Sequence, residues 1–264
     1  MKNDQVRGYV PAHAAAIAEQ LLGMLDRTSL GGVSGLYLMG SIALDDYRPG
    51  HSDVDFLAVI EPTFDVSVLV DVHSKLAEIC QSHCDGIYLK RHELSVAPGE
   101  TGPSAREGRV TLQSCDERHP VTWLTLLRHG KVLRGPVPDR TWIASDINAA
   151  IAYSRQNARS YWRPWLDGYR QSPGVAAGYI FNDAEVEWGA LGIARLHALI
   201  ATGRIESKTG AGLHALTAFP PHSQLIREAL RIRNGWRSSL YASEISRSND
   251  FVRFLDDAIA AVTA

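Results

Sequence analysis

The chain has little of what marks disulfide-built, membrane-bound or nucleic-acid-coating proteins. Three cysteines, Cys80, Cys84 and Cys115, are an odd and sparse set for 264 residues. They exclude a disulfide framework, and Cys80-x-x-x-Cys84 lies on a helix-like stretch rather than in a zinc knuckle, so we read reduced structural thiols of a cytosolic protein. Positive charge is not in excess: 27 Lys and Arg face 29 Asp and Glu, a net charge of −2. An extended nucleic-acid surface normally carries a basic surplus, so any such contact would rest on local patches. The polar start, Met1-Lys2-Asn3-Asp4-Gln5, opens no signal peptide, and no apolar run reaches transmembrane length. A cytoplasmic protein with no membrane partner is expected. The ten histidines show no ligand spacing, and nothing suggests a Ser/His/Asp triad.

What is present suffices for a full core. With 45% apolar residues, the chain supports one large domain or two small ones. Ile17, Leu21, Leu22 and Leu25 give residues 12–25 helical spacing, and 33–39 read as a buried strand. A second strand runs from Asp53. Val68, Leu69, Val72, Leu76 and Ile79 make 64–81 a helix, and 85–90 read as a third strand. This order of helix, strand, turn, strand, helix, strand implies a mixed sheet with helices packed on it. From 98 to 120 periodicity is lost, which suggests either a lid or substrate wall, or a mobile insertion. A helix over 121–128, broken at His129-Gly130, and a short edge strand over 131–134 precede the linker Gly135-Pro136-Val137-Pro138. Beyond 140 only helical spacing remains, over 145–169 with an interruption at Pro164, then 176–202, 223–233 and 250–262. The expected architecture is an α/β (α+β) domain over 1–139 followed by an all-α helical bundle over 140–264. A cleft at their junction would suit a small ligand.

The densest chemistry lies between positions 40 and 85. Gly40-Ser41 ends the first strand; glycine admits a close backbone approach, and the exposed amides with the Ser41 hydroxyl suit a phosphate oxygen. About a dozen positions later, Ser52-Asp53-Val54-Asp55 opens the second strand, whose period of two puts both carboxylates on one face. Two acids on one face repel unless a divalent cation lies between them, and hard oxygen ligands suit Mg²⁺. Asp85, opening the neighbouring strand, offers a third carboxylate to the same ion. Glycine-serine, then Asp-x-Asp, then one more strand-borne acid resembles the nucleotidyltransferase signature of the DNA polymerase β superfamily.

A second cluster lies in the helical half. Arg195 is near the end of a helix that stops at Gly203, and Lys208 follows in Gly203-Arg204-Ile205-Glu206-Ser207-Lys208; two cations of this kind suit a triphosphate. Taken with Leu36-Tyr37-Leu38-Met39-Gly40-Ser41 and Ser52-Asp53-Val54-Asp55, this segment resembles the aminoglycoside adenylyltransferases that modify streptomycin and spectinomycin. The resemblance spans both halves and fits poorly near 95–120 and at the extreme C-terminus. It implies ATP as co-substrate, with Gly40 and Ser41 at a phosphate, Mg²⁺ on Asp53 and Asp55, and Arg195 and Lys208 on the triphosphate. Asp85 falls where the family carries its catalytic base, usually a glutamate, so it either takes the hydroxyl proton or completes the metal site.

Members of that family that accept streptomycin carry a tryptophan and an aspartate at positions that fall here near Ala176 and Phe181. Neither matches, so spectinomycin is favoured. Asp183, Glu185 and Glu187 give the helix an acidic approach suited to a cationic aminocyclitol; Trp188 reads as core, and Arg233, Asn234 and Trp236 are candidates to reach adenine. The expectation is a monomeric resistance enzyme that adenylylates an antibiotic hydroxyl. The alternatives are transfer to another small molecule or to a protein or RNA end, and a binding module without turnover, against which the three intact acids speak.

Overall fold

The computed structural model describes residues 9–28, 32–80, 83–171 and 180–264. The chain forms two compact units, 1–150 and 151–264. The first holds helix α1 (Ala12–Thr28), strand β1 (Val33–Leu38), a one-turn helix α2 (Gly40–Ala43), β2 (Val54–Ile60), α3 (Val68–Ile79) and β3 (Cys84–Lys90). They are followed by β4 (Gly102–Arg106), β5 (Arg109–Ser114), α4 (Pro120–His129) and β6 (Lys131–Arg134). The six strands form one mixed sheet in the order β5-β4-β3-β2-β1-β6. Only β2 and β3 are parallel, as their linking helix α3 requires; the other neighbours run antiparallel.

Strand alternation sorts the apolar residues onto two buried faces. Leu36, Leu38, Phe56, Ala58 and Tyr88 share one cluster with Leu21 of α1 and with Leu69, Val72 and Leu76 of α3. Tyr37, Leu57, Val59, Ile87 and Leu89 face the other way, onto Trp123 and Leu126 of α4. Burial on both faces explains why β1 to β3 read as continuous apolar runs rather than as alternating ones.

The region 98–120 carries regular structure rather than a loose insertion. It contains the β4–β5 hairpin, turned by Glu107-Gly108, both at positive φ (51° and 73°). That is the two-residue turn whose twist matches antiparallel strands. The exposed, polar faces of β5 hide the strand from an apolar-periodicity reading.

The second unit is all-helical, as expected. It comprises the rest of α5 (Ile147–Asn157), a π-turn (Ala158–Trp162), α6 (Arg163–Gln171), α7 (Asp183–Thr202), α8 (Lys208–Ala218), α9 (Ser223–Arg233) and α10 (Glu244–Thr263). The expected start of α7 near 176 lies outside the described residues, as does the polar start of the chain. Helix α7 is the unit's buried axis, with Val186, Ala190, Ile193 and Ala194 in the core beside Ala211, Ala229, Phe251 and Leu255. Helix α8 escapes a reading by sequence pattern, because Gly210 and Gly212 lower helical propensity. Ser207 nonetheless caps it by accepting the Gly210 amide, and Gly212 permits tight packing against Leu230. Helix α10 begins six residues earlier than its apolar spacing indicates, where Ser243 caps the Ser246 amide. Among the described residues no helix is long and apolar enough to cross a membrane.

Candidate active site

The end of β1 and the start of β2 create the site's closest approach. The Met39 amide donates to the Asp55 carbonyl at 2.8 Å, tying the two strand ends together. Gly40 follows at φ +52°, and a methyl on its α-carbon would stand 1.8 Å from Asp55 Oδ2. Only glycine satisfies both the left-handed backbone and the neighbouring carboxylate. The opening amides of α2, with the half-buried Ser41, have no partner within their own helix.

The three acids gather at neighbouring strand ends. Asp53 is exposed, one residue before β2, and Asp55 pairs in parallel register with Asp85 of β3. By alternation Asp55 shares a face with Leu57 and Val59, and Asp85 shares that face with Ile87 and Leu89. Asp85 Oδ1 accepts the Glu107 amide at 2.9 Å, so the tip of the β4–β5 hairpin reaches this site. Burial pushes the Asp85 carboxyl above its ordinary range and the negative charge of Asp53 adds to it, against the opposing pull of the Glu107 amide, His83 and Arg106.

In the helical unit, Arg195 is half-buried near the end of α7. Lys208 is the first residue of α8, and its Nζ lies 3.2 Å from Glu187 Oε1. The same carboxylate oxygen takes Arg233 Nη1 at 3.4 Å, and Glu187 and Arg233 are both buried. Glu187 is therefore an anchor for two cations, not a solvated acid on an approach face, and Arg233 is engaged with it. Glu185 closes a capping box with Asn182 at the start of α7, and its Oε1 accepts the Tyr169 hydroxyl at 2.8 Å. Asp183 is paired through both oxygens, with Arg247 and with Arg231. Phe181 is buried against Tyr169, Trp165 and Phe251, while Ala176 lies outside the described residues. Trp188 is partly buried and stacks on Trp162, with ring centroids 4.7 Å apart.

Residues 19–92 match the family model of the nucleotidyltransferase domain. The chain carries a nucleotidyltransferase domain. That stretch contains Gly40, Ser41, Asp53, Asp55 and Asp85, all singled out from sequence. No curated protein matches the chain by sequence. Among solved structures, the spectinomycin adenyltransferase AAD(9) from Enterococcus faecialis, crystallised with ATP and spectinomycin, shares the fold. It is 13% identical, with a TM-score of 0.62 over 94% of this chain and 98% of that one.

The nucleotidyltransferase domain offers donors that suit Mg²⁺: hard carboxylate oxygens on adjacent strands, one of them destabilised as an anion by burial and by its acidic neighbour. Among the described residues no group of three or more His, Cys, Asp or Glu side chains is arranged to hold a metal ion. A pair of these acids, completed by phosphate oxygens and water, is the set that such an ion would use. Sequence reading missed the contribution of Glu107, whose signal was the Glu-Gly pair between two short polar strands. It also missed the Lys208–Glu187–Arg233 chain of charges, since nothing in a helical pattern marks which acid is buried with a partner.

Proposed function

We propose that the chain is an ATP- and Mg²⁺-dependent adenylyltransferase that moves AMP onto a hydroxyl of an aminocyclitol antibiotic, spectinomycin in preference to streptomycin, and so confers resistance. The observation that carries nucleotidyl transfer is the Asp55 carboxylate against Gly40, in register with Asp85, inside the matched domain. The choice of acceptor is supported by the fold shared along the whole chain with an enzyme crystallised with ATP and spectinomycin. Against streptomycin stands Phe181, an apolar ring buried where the streptomycin-accepting members carry a carboxylate.

Asp53 and Asp55 would hold Mg²⁺, which when bound neutralises charge on the α-phosphate. Asp85 is the base. One of its oxygens is fixed by the Glu107 amide and its raised proton affinity suits it to take a hydroxyl proton. As the proton leaves, the acceptor oxygen bonds to the α-phosphorus, and the bond from phosphorus to the pyrophosphate oxygen breaks in line. Ser41 and the Gly40 turn receive a phosphate oxygen, while Arg195 and Lys208 stabilise the charge that grows on pyrophosphate. Glu185 presents negative charge to the cationic acceptor, whereas the charge of Asp183 is met by Arg231 and Arg247. The enzyme works as a monomer in the cytoplasm.

Pyrophosphate release, followed with ATP, Mg²⁺ and a panel of aminocyclitols, tests this reading. Release with spectinomycin is expected, with less for streptomycin and none after addition of EDTA. No release with any panel member overturns the antibiotic as acceptor, and turnover undiminished in Asp53→Asn overturns the metal assignment.

A further inference from the structure

The row of acids at the end of the sheet continues into a row of bases. Asp55 of β2 stands beside Asp85 of β3. Strand β4 runs antiparallel to β3 with Ile87 opposite Ser104 and Gly86 opposite Ala105, so the next step sets Arg106 opposite Asp85. On β5, Arg109 stands opposite Arg106. Residues directly opposite one another share a face of the sheet. Asp55, Asp85, Arg106 and Arg109 therefore form one line across β2, β3, β4 and β5, two acids followed by two arginines. The other face of the hairpin is apolar and occupied: Ala105 lies in the cluster with Leu76 of α3, and Val110 packs against that cluster.

The hairpin turn fixes this line. With Glu107 and Gly108 as the turn residues, Arg106 and Arg109 are the first pair of the ladder, their β-carbons about 5.5 Å apart. Both are exposed, and among the described residues neither guanidinium has an ion-pair or hydrogen-bond partner, Glu107 of the turn included. Like charges directly opposite on a sheet destabilise it, a penalty that a bound anion would remove.

The place of the pair beside Asp85 determines which anion it suits. Arg106 is near enough to the Asp85 carboxylate to oppose the rise in its proton affinity, yet forms no ion pair with it. Neighbouring strands are about 4.8 Å apart, a distance that an arginine side chain spans. An anion held by Arg106 and Arg109 thus lies within a few bonds of a hydroxyl whose proton Asp85 takes. Guanidinium groups bind phosphate and carboxylate oxygens through paired, charge-assisted hydrogen bonds. A purely cationic acceptor would leave both arginines unused.

We propose that the site also adenylylates small hydroxyl compounds bearing a phosphate or a carboxylate a few bonds from the hydroxyl, with Arg106 and Arg109 holding that anion; this rests on nucleotidyl transfer, not on the antibiotic as acceptor. The acceptor oxygen bonds to the α-phosphorus of ATP, its proton passes to Asp85, and the bond from that phosphorus to pyrophosphate breaks.

Pyrophosphate release by the full chain with ATP and Mg²⁺ is measured with glycerol 3-phosphate, glycerate and glycerol, which carry a phosphate, a carboxylate and no charge beside the hydroxyl. At least one anion is expected to exceed glycerol in kcat/KM by about tenfold or more. Arg106→Ala and Arg109→Ala should each lower that ratio by about tenfold, and Arg109→Glu should bring glycerol ahead of the anion. A merely structural role would slow all the acceptors alike and leave the ratio where it was. Both arginines are exposed, so their removal spares the core, which unchanged circular dichroism would verify. Equal use of anions and glycerol overturns the proposal, as does a preference that survives both alanine variants. So does a rise in KM for ATP larger than that for the anion, since the arginines would then serve the triphosphate. Spectinomycin turnover without either anion overturns this proposal alone, and turnover of an anion without spectinomycin overturns the antibiotic reading alone. No release with any acceptor overturns both.

Discussion

Asp85 and Glu228 are both carboxylates withdrawn from water, yet their proton affinities move in opposite directions. For Asp85, burial and the neighbouring Asp53 prevail over the Glu107 amide, His83 and Arg106, and the carboxyl is pushed up. For Glu228, burial pushes up as well, but Arg231, the Leu240 amide and the Ser239 hydroxyl together pull it down, so that it stays ionised. The helical unit meets the charge of its buried acid with its own donors. In the sheet unit the neighbouring acid Asp53 adds to the effect of burial on Asp85 instead of offsetting it.

The most severe way to disturb the acid side is to move Asp55. Gly40→Ala forces a methyl into that carboxylate, and adenylyl transfer, read as pyrophosphate release, should fall at least about a hundredfold, because a displacement near 1 Å has that effect on a positioned group. Undiminished release would mean that the approach does not matter to catalysis. On the compensated side, Glu228→Ala removes one of the two carboxylates that pair with Arg231, leaving it Asp183, and releases the loop anchored on Glu228. A loss of about 3–5 kcal/mol of unfolding free energy in urea titrations is expected, and a change below about 1 kcal/mol would show that the network contributes little.

His73 sharpens the contrast, as a buried group kept uncharged. Burial lowers its pKa to about 4, and its Nε2 lies 2.8 Å from the Tyr88 hydroxyl. The unfolded chain binds this proton more readily than the folded one. The stability it contributes is therefore complete above about pH 6.5 and is lost as the pH falls toward 4, a decline of about 3 kcal/mol. Urea midpoints measured between those pH values should show the decline, and His73→Phe should flatten that part of it. The smallest effect is expected at the hairpin tip. Gly108→Ala, at φ +73°, should cost about 1 kcal/mol, seen as a modest fall in Tm.

The parts legible from sequence were those in which a local pattern has a single physical meaning. Apolar strands before Gly40 and after Asp53, helical spacing in 12–25 and 64–81, and the change to helices beyond 140 all describe what is seen in the fold. The nearness of Asp55 and Asp85 was legible because the two strands that carry them follow one another through a helix and so pair in parallel. The hairpin at 102–114 was not, since its outer strand is exposed and polar and only a Glu-Gly pair signals the turn. Helix α8 was hidden by two glycines that serve packing and close approach. How Asp183 and Glu187 would be paired depended on arginines 46 to 64 positions downstream, and no local pattern carries that information.

Glu228 has one more consequence, for how the chain between α9 and α10 comes apart. Because that segment is fastened from beneath by a carboxylate at the centre of the bundle, it has no private way to melt. A protease should find residues 235–240 no easier to cut than the helices on either side, despite their lack of regular structure and their position at the surface.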